Sequence, residues 1–114
     1  YIGDNGNSIW LRLVFDYYGD VSIGYTTISI ITDGEIYKKD IDTDNKIANS
    51  KNGKYWEFID VSPDEADIDM LWKIVYSKSA QVCFEGVSSD HIITLDENDK
   101  NAIQDVLLYY EYLS

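Results

Sequence analysis

A thiol and an imidazole, which together can form a nucleophile and its base, each occur once in the chain, as Cys83 and His91. An imidazole beside a thiol can take its proton and leave the reactive thiolate. We expect the two residues on neighbouring strands of one hairpin, but no motif surrounds them and nothing is placed to orient the imidazole. The sequence therefore favours a core cysteine and a histidine on the sheet surface. Zinc is favoured even less, since one histidine and one cysteine cannot fill a site that needs three or four protein ligands, and we assign no catalytic residue.

Three aspartates at alternate positions, Asp40, Asp42 and Asp44, resemble the first half of a calcium-binding EF-hand loop. Two later positions depart from that loop, because Asn45 stands where a glycine turn is needed and Lys51 stands where a bidentate glutamate closes the site. The preceding segment also has the pattern of a strand rather than a helix. Two interpretations remain, a weak calcium site and a solvated polar loop, and the pattern favours the loop. We predict no cofactor.

Acidic side chains gather where the first helix is expected to begin. Asp64 and Asp67 are three positions apart, so on a helix they share a face and could hold a divalent ion or act as an acid pair. Carboxylates in a first helical turn are also the ordinary complement of the helix dipole. The sequence favours this second interpretation.

The chain has ten tyrosines, more than a core of this size needs. Tyrosine offers a large contact area, so an exposed group of tyrosines suits recognition of protein or sugar. We expect Tyr17, Tyr18, Tyr109 and Tyr112 to form the binding surface. The alternative is that these rings fill half-buried sheet faces, which tyrosine also suits.

Composition limits the class of protein. The 114 residues are 45% hydrophobic, which is enough for one packed domain over residues 1–114 and excludes a disordered tail. Twenty-one acidic residues against nine basic ones give a net charge of −12, which repels nucleic-acid phosphates and anionic lipid. No apolar run approaches the roughly 20 residues of a membrane-spanning helix. We therefore expect no nucleic-acid partner and no membrane insertion.

The strands that must position these residues are predicted from alternating apolar side chains and from turn signals. Asp33-Gly34 and Asn52-Gly53 indicate tight turns that need positive φ, and the polar residues 40–54 indicate a loop. Strands are predicted at Ser8–Tyr18, Val21–Thr32, Glu35–Lys39, Tyr55–Val61, Ala80–Gly86 and His91–Leu95.

Two amphipathic helices complete the predicted fold. For the first helix, Ser62 is the expected N-cap, Pro63 takes the first helical position and Glu65 completes a capping box. The second helix is expected to begin at Asp96, or at Thr94, with Lys100 on its outer face. The expected buried stripes are Ile68, Leu71, Trp72 and Val75 in the first helix, and Ile103, Val106, Leu107, Tyr110 and Leu113 in the second.

The predicted order of elements, β-β-β-β-α-β-β-α, indicates an α+β fold with mainly antiparallel, β-sandwich-like sheets. Five segments resemble an uncharacterised domain of secreted or lipid-anchored bacterial proteins, and the order of elements is similar to that of the invasion-associated locus B family, whose members are β-sandwich envelope proteins. The segments are Leu11–Asp20, Asp33–Glu35, Tyr55–Glu57, Val82–Gly86 and Asp99–Leu107. The resemblance implies a cell-envelope location and a non-enzymatic role, and it supplies no functional residues.

We therefore expect a non-enzymatic, extracytoplasmic binding module of a bacterial envelope protein, with protein or cell-surface material as its partner. The chain starts at Tyr1 rather than at methionine, so we expect it to be a piece of a longer precursor. The alternative is a small acidic inhibitor or immunity protein that neutralises a basic partner by electrostatic steering. A third option, a hydrolase, would need Asp64 with Asp67, or Cys83 with His91, to meet at a pocket.

Overall fold

The computed structural model describes residues 1–113 of the chain. This part of the chain contains nine strands and two helices. The α+β class with antiparallel, sandwich-like sheets is confirmed. The strands are β1 (Ile2–Asp4), β2 (Ile9–Leu11), β3 (Leu13–Gly19), β4 (Tyr25–Thr32), β5 (Glu35–Asp40), β6 (Ile47–Lys51), β7 (Lys54–Val61), β8 (Ala80–Gly86) and β9 (Asp90–Leu95). The helices are α1 (Glu65–Tyr76) and α2 (Glu97–Leu113).

Two tight turns organise the strands, and both were predicted. Asp33 and Gly34 have φ of 49° and 89°, and they join β4 to β5. Asn52 and Gly53 have φ of 54° and 76°, and they join β6 to β7. These left-handed conformations are tolerated best by glycine, asparagine and aspartate.

The structure corrects two strand predictions. Residues 40–54 are not a loop throughout, because β6 lies within them; it is exposed along its whole length and so has no apolar alternation to reveal it. The predicted strand Ser8–Tyr18 is interrupted at Arg12, because β2 pairs with β1 whereas β3 pairs with β7. The backbone N–H of Arg12 donates to the Tyr1 carbonyl instead.

The core lies between two sheets of antiparallel strands. One sheet has the order β3-β7-β6 and the other the order β5-β4-β8-β9, while β1 and β2 form a separate ribbon. Helix α1 contributes to the same core, and α2 packs against α1. The core residues are Phe15, Tyr17, Ile23, Tyr25, Ile28, Ile30, Ile41, Ile59, Met70, Ile74, Ala80 and Phe84. Within residues 1–113, no helix has the length and apolar character needed to cross a membrane.

Helix α1 begins two residues later than predicted. Its N-cap is Asp64, not Ser62, and the capping box is closed by Asp67 rather than by Glu65. A carboxylate accepts hydrogen bonds from the free N–H groups of the first turn and also complements the helix dipole. The fully buried face of the helix is Asp67, Met70 and Ile74, whereas the predicted stripe is only partly buried.

Helix α2 begins as predicted, with Asp96 before its first residue. The Asp96 carboxylate accepts from the backbone N–H of Asp99 at 2.8 Å, and the Asp99 carboxylate accepts from that of Asp96 at 2.9 Å. The predicted buried stripe holds at Leu107, which is buried, but fails at Leu113, which is exposed. The apolar pattern continues past the point where the helix leaves the core.

Lys100 was predicted on the outer face of α2 and is instead buried. Its ammonium group donates to the carbonyl oxygens of Ser77 at 3.0 Å and Lys78 at 3.3 Å, just beyond the end of α1. Carbonyl groups at a helix C-terminus lack partners within the helix and attract cations. The side chain therefore caps one helix from the other.

Candidate functional site

Cys83 and His91 cannot act as a pair, because they lie on opposite faces of the β8–β9 hairpin. Cys83 is paired with Ile92, and His91 with Phe84; directly opposed residues share a face, and successive residues alternate. Of the favoured interpretation, the burial of Cys83 is confirmed, whereas the surface position of His91 is wrong. His91 is half-buried on the inner face, with its ring 5.1 Å from that of Tyr17, whereas Cys83 is buried on the outer face, outside the core cluster. Burial and neighbouring carboxylates raise the pKa of the thiol.

The calcium interpretation of Asp40, Asp42 and Asp44 is not supported by the structure. The Asp40 carboxylate accepts from the Thr27 hydroxyl at 3.2 Å. The Asp42 carboxylate accepts from the Asp44 backbone N–H at 3.2 Å and from the Asn45 side-chain amide at 2.7 Å. The first of these bonds is typical of an Asx turn, in which an aspartate side chain accepts from the backbone two residues later. Across residues 1–113 there is no group of three or more His, Cys, Asp or Glu side chains that could hold a metal ion.

Asp64 and Asp67 meet at the start of α1 but do not form a free acid pair. Asp67 is completely buried, and its carboxylate accepts from the Lys39 ammonium at 3.0 Å and from the Tyr37 hydroxyl at 2.9 Å. Burial raises the pKa of Asp67, but the hydrogen bonds from Lys39, the Asp64 backbone and Tyr37 together lower it by more. The pKa of Asp67 therefore lies below its usual range. The carboxylate is therefore ionised and internally neutralised.

Glu57 is a second buried carboxylate, and the sequence analysis did not identify it. It lies inside the protein and accepts from three successive backbone N–H groups, those of Ile23 at 3.2 Å, Gly24 at 2.9 Å and Tyr25 at 3.1 Å. The Lys46 ammonium donates to it at 2.6 Å. Burial alone would raise the pKa of Glu57, but Lys46 and these backbone donors hold it below its usual range.

This carboxylate explains why β4 begins at Tyr25 and not at the predicted Val21. The N–H groups of residues 23–25 bind Glu57, so the chain curves around the carboxylate before it enters the sheet. A signal for the burial exists in the sequence, since Glu57 shares its strand face with Ile59 and Val61. The opposite face of the strand carries the larger aromatic residues Trp56 and Phe58, which made that face the stronger candidate for burial.

The lysine-rich stretch 38–54 supplies cations to carboxylates elsewhere in the fold. Two of its lysines neutralise the buried carboxylates just described, and two pair with carboxylates nearer the surface. The ion pairs are Lys38–Glu85, Lys39–Asp67, Lys46–Glu57 and Lys54–Asp20. Each pair removes one charge of each sign, so these pairs leave the acidic excess of the protein unchanged at −12.

Of the four tyrosines predicted to bind a partner, Tyr17 is misplaced. Its ring is only 2% exposed, and its hydroxyl donates to the Val21 carbonyl at 2.7 Å, so it serves the core. Tyr18 is 61% exposed, and Tyr109 and Tyr112 are also exposed. These three belong to different elements, since Tyr18 lies on β3 whereas Tyr109 and Tyr112 lie on α2.

Tyr18 belongs to an apolar face on the outer side of the β3-β7-β6 sheet. Tyr18 is paired with Trp56, and Phe58 is paired with both Asp16 and Ile47. The Tyr18 and Trp56 rings are stacked, with centroids 6.5 Å apart and planes inclined by 25°. We call this surface the aromatic sheet face; its apolar members are Val14, Tyr18, Ile47, Trp56 and Phe58.

Polar groups border the aromatic sheet face. Asp16 and Asn49 stand beside the aromatic residues on the same side of the sheet and are exposed. At one end the Asp60 carboxylate is held by Arg12 at 2.8 Å. Beyond the start of β6 the surface opens into a cavity of about 690 Å³, whose lining includes Ile47, Phe58, Asp60, Arg12 and Asn45. The arrangement is an apolar sheet surface that ends in a recess lined by both polar and apolar side chains.

Comparisons with protein-family models, with curated proteins and with solved structures found no match. The resemblance to a domain of bacterial envelope proteins therefore stays a prediction.

Proposed function

We propose that the chain is a non-enzymatic binding module whose aromatic sheet face binds an uncharged glycan of the cell surface. The observation that supports this most directly is the stacked pair of exposed Tyr18 and half-buried Trp56, on a sheet face that carries three more apolar side chains. The solvent side of an antiparallel sheet is ordinarily polar, and exposed apolar patches commonly mark interaction sites.

The chemistry of the face suits sugar rings. The C–H face of a pyranose is apolar and flat, so it packs against an aromatic ring, while its hydroxyls need hydrogen-bonding partners at the edges. Tyr18 and Trp56 supply the aromatic surface, and the carboxylate of Asp16 and the amide of Asn49 supply acceptors and a donor beside it. Because the rings stand on paired strands, little order has to be gained on binding.

The net charge selects among glycans. At −12 the protein repels polymers that carry phosphate or carboxylate groups. An uncharged polysaccharide meets no such barrier, and its binding should depend little on salt. This separates glycan binding from recognition of a basic protein, which salt would weaken.

Calorimetric titration with cellohexaose and with the hexamer of N-acetylglucosamine tests the proposal. We expect binding of at least one of the two, and we expect Tyr18→Ala to weaken it by about two- to tenfold, the cost of one lost aromatic contact of about 0.5–1.5 kcal/mol. Chromatography of the same samples should show oligosaccharides of unchanged length. Shortened products would contradict the non-enzymatic part of the proposal.

Two matched variants show whether the sheet face is responsible. Ile47 is 50% exposed on the aromatic sheet face, and Ile92 is 58% exposed on the other sheet, so Ile47→Ala and Ile92→Ala remove the same group at similar exposure. Only Ile47→Ala should weaken binding. If neither oligosaccharide binds, or if Tyr112→Ala on α2 weakens binding while Tyr18→Ala does not, the proposal is wrong.

The extracytoplasmic location belongs to the proposal and is supported by the sequence resemblance alone. An antibody against the chain, applied to intact and to lysed cells of the producing bacterium, tests it. Labelling of intact cells is expected. Labelling only after lysis would place the glycan-binding face where no cell-surface material is present.

A second candidate function is inhibition of a basic partner. The observation that favours it is the net charge of −12, which the one-to-one ion pairs of the lysines in residues 38–54 leave unchanged. This function predicts tight binding to a basic protein that weakens steeply as the salt concentration rises from 50 to about 500 mM. Binding that is insensitive to salt would exclude it.

A further inference from the structure

An open groove lies between α1 and the turn that joins β4 to β5, away from the aromatic sheet face. Its volume is about 550 Å³. Asp69, Trp72, Lys73 and Tyr76 line one side, and their spacing of three and four residues places them on one face of α1. The Trp72 and Tyr76 rings are stacked, with centroids 5.6 Å apart and planes inclined by 16°. Tyr76 is 75% exposed.

The charges around this groove are unbalanced. Three carboxylates line it, those of Asp33, Glu35 and Asp69, against the single ammonium group of Lys73. That ammonium group is 3.2 Å from Glu35, which neutralises one of the three. The C-terminal end of α1 adds little to this charge, because the Lys100 ammonium group already binds the carbonyl groups of Ser77 and Lys78 there. A cation is therefore the complementary guest.

The wall of the groove is held in place before any guest arrives. The Asp33 carboxylate accepts from the backbone N–H groups of Lys78 at 3.1 Å and Ser79 at 3.0 Å. The Asp33 N–H donates to the Ser79 carbonyl at 3.1 Å. These three bonds fix the β4–β5 turn against the segment that follows α1, so binding has little order to impose on the turn.

We infer that this groove binds an arginine side chain of a basic protein segment. A guanidinium group is planar, so it can stack on an aromatic ring and donate to a carboxylate at the same time, which an ammonium group does less well. Tyr76 and Trp72 provide the aromatic surface, and Asp69 provides the carboxylate on the same helix face. The site shares no residue with the aromatic sheet face, so the inference is independent of glycan binding.

Titration of the isotope-labelled protein with a hexa-arginine peptide, followed by NMR, tests the inference. We expect the largest shifts at the Trp72 indole N–H and at the amides of α1. Tyr76→Ala and Asp69→Asn should each weaken binding by about two- to fivefold, since an exposed cation–π contact or ion pair contributes little more than that. Both side chains are exposed, so the variants should keep the fold, which circular dichroism checks.

Two controls separate a built site from general attraction to an acidic protein. Asp105 is exposed on α2, so Asp105→Asn makes the same charge change as Asp69→Asn away from the groove. It should weaken binding less than Asp69→Asn does, and a hexa-lysine peptide should bind more weakly than hexa-arginine. Equal effects of the two asparagine variants, or shifts that are not centred on α1, would overturn the inference. Tyr18→Ala should leave hexa-arginine binding unchanged, so failure here and failure of glycan binding are distinguishable.

Discussion

The ammonium group of Lys46 lies 2.6 Å from a carboxylate oxygen of Glu57 in the interior of the protein. The same group donates to the Tyr25 carbonyl at 2.8 Å and stands 4.5 Å above the centre of the Tyr25 ring. Glu57 in turn binds the backbone of residues 23–25. One ion pair therefore joins three segments: β7, the segment before β6 and the start of β4. Strands β7 and β6 belong to one sheet, and β4 belongs to the other.

The first prediction concerns this pair. Glu57→Gln removes the charge that neutralises Lys46 while both groups stay buried, and breaking a buried pair typically costs about 3–5 kcal/mol. We expect the free energy of unfolding to fall by that amount in urea titrations followed by tryptophan fluorescence. Glu35→Gln breaks the exposed pair with Lys73 and should cost no more than about 1 kcal/mol. Equal losses in the two variants would show that burial of the first pair carries no extra energy.

The second prediction is a loss of stability in acid. The pKa values of Glu57 and Asp67 are both lowered in the folded protein. The unfolded chain therefore binds more protons below the ordinary carboxyl pKa of about 4, and the stabilisation is full above that value and is lost as the pH falls through the lower folded values. Urea midpoints should decline from about pH 5 to pH 2, and they should decline less steeply in Glu57→Gln. A midpoint that stays constant over this range would contradict the assignment.

The third prediction compares two residues with the same local role. Asp67 and Asp99 are each the third residue of a helix and close a capping box with Asp64 and Asp96 respectively. Only Asp67 is also buried against Lys39. Asp67→Asn should therefore cost about 3–5 kcal/mol, whereas Asp99→Asn should cost about 1 kcal/mol. Urea unfolding of both variants measures the difference, and similar costs would show that Asp67 acts only as a cap.

The fourth prediction concerns the buried lysine between the helices. Lys100→Met keeps most of the side-chain volume but removes the donor to the carbonyl groups of Ser77 and Lys78. An unpaired carbonyl group costs about 1–3 kcal/mol when it is buried; these two are partly buried, so we expect a loss of about 1 kcal/mol. Each kcal/mol lowers Tm by about 4–8 °C in a domain near this size. Lys73→Met, on the exposed side of α1, should change Tm little. If Lys100→Met has the same Tm as the wild type, water must satisfy these carbonyl groups in the variant.

The turns and most of the strands could be predicted because their signals are local. Asp33-Gly34 and Asn52-Gly53 need left-handed backbone angles, and the residue types alone reveal that need. The alternation of Leu11, Phe15 and Tyr17 likewise shows which side of its segment is buried. Both signals are complete within a few residues, so no tertiary information is required.

The errors arose where distant residues decide the outcome. Strand β6 exists because β7 pairs with it, and no apolar pattern marks it. At the start of α1, Asp67 closes the capping box and its carboxylate pairs with Lys39 on β5. The local sequence does not reveal this distant partner. Lys100 has an ordinary polar position in the pattern of α2, and only the nearby end of α1 explains its burial.

The sequence analysis expected an exposed aromatic binding surface. Of the residues it named for that surface, only Tyr18 lies on the aromatic sheet face. Tyr18 is exposed as expected, whereas Tyr17, one position away, faces the core. Strand β7 shows why the rest was missed, since Trp56 and Phe58 face outward while Glu57 between them faces inward. Over these three residues hydrophobicity alone predicts the opposite arrangement, although the alternation of Glu57 with Ile59 and Val61 predicts the observed one. The inward carboxylate is stable only because Lys46 and three backbone N–H groups meet it there.

The pairing of β3 with β7 has a consequence for how the aromatic sheet face comes into being. Arg12 and Asp60, which join the ends of these strands, are 48 positions apart, and the complete β4–β5 hairpin lies between them. The hairpin can form as soon as its own residues are synthesised, whereas Tyr18 and Trp56 come together only after that long loop has closed. A peptide that contains β6 and β7 alone would therefore lack Tyr18, and a nascent chain that ends before Trp56 would lack the stacked pair.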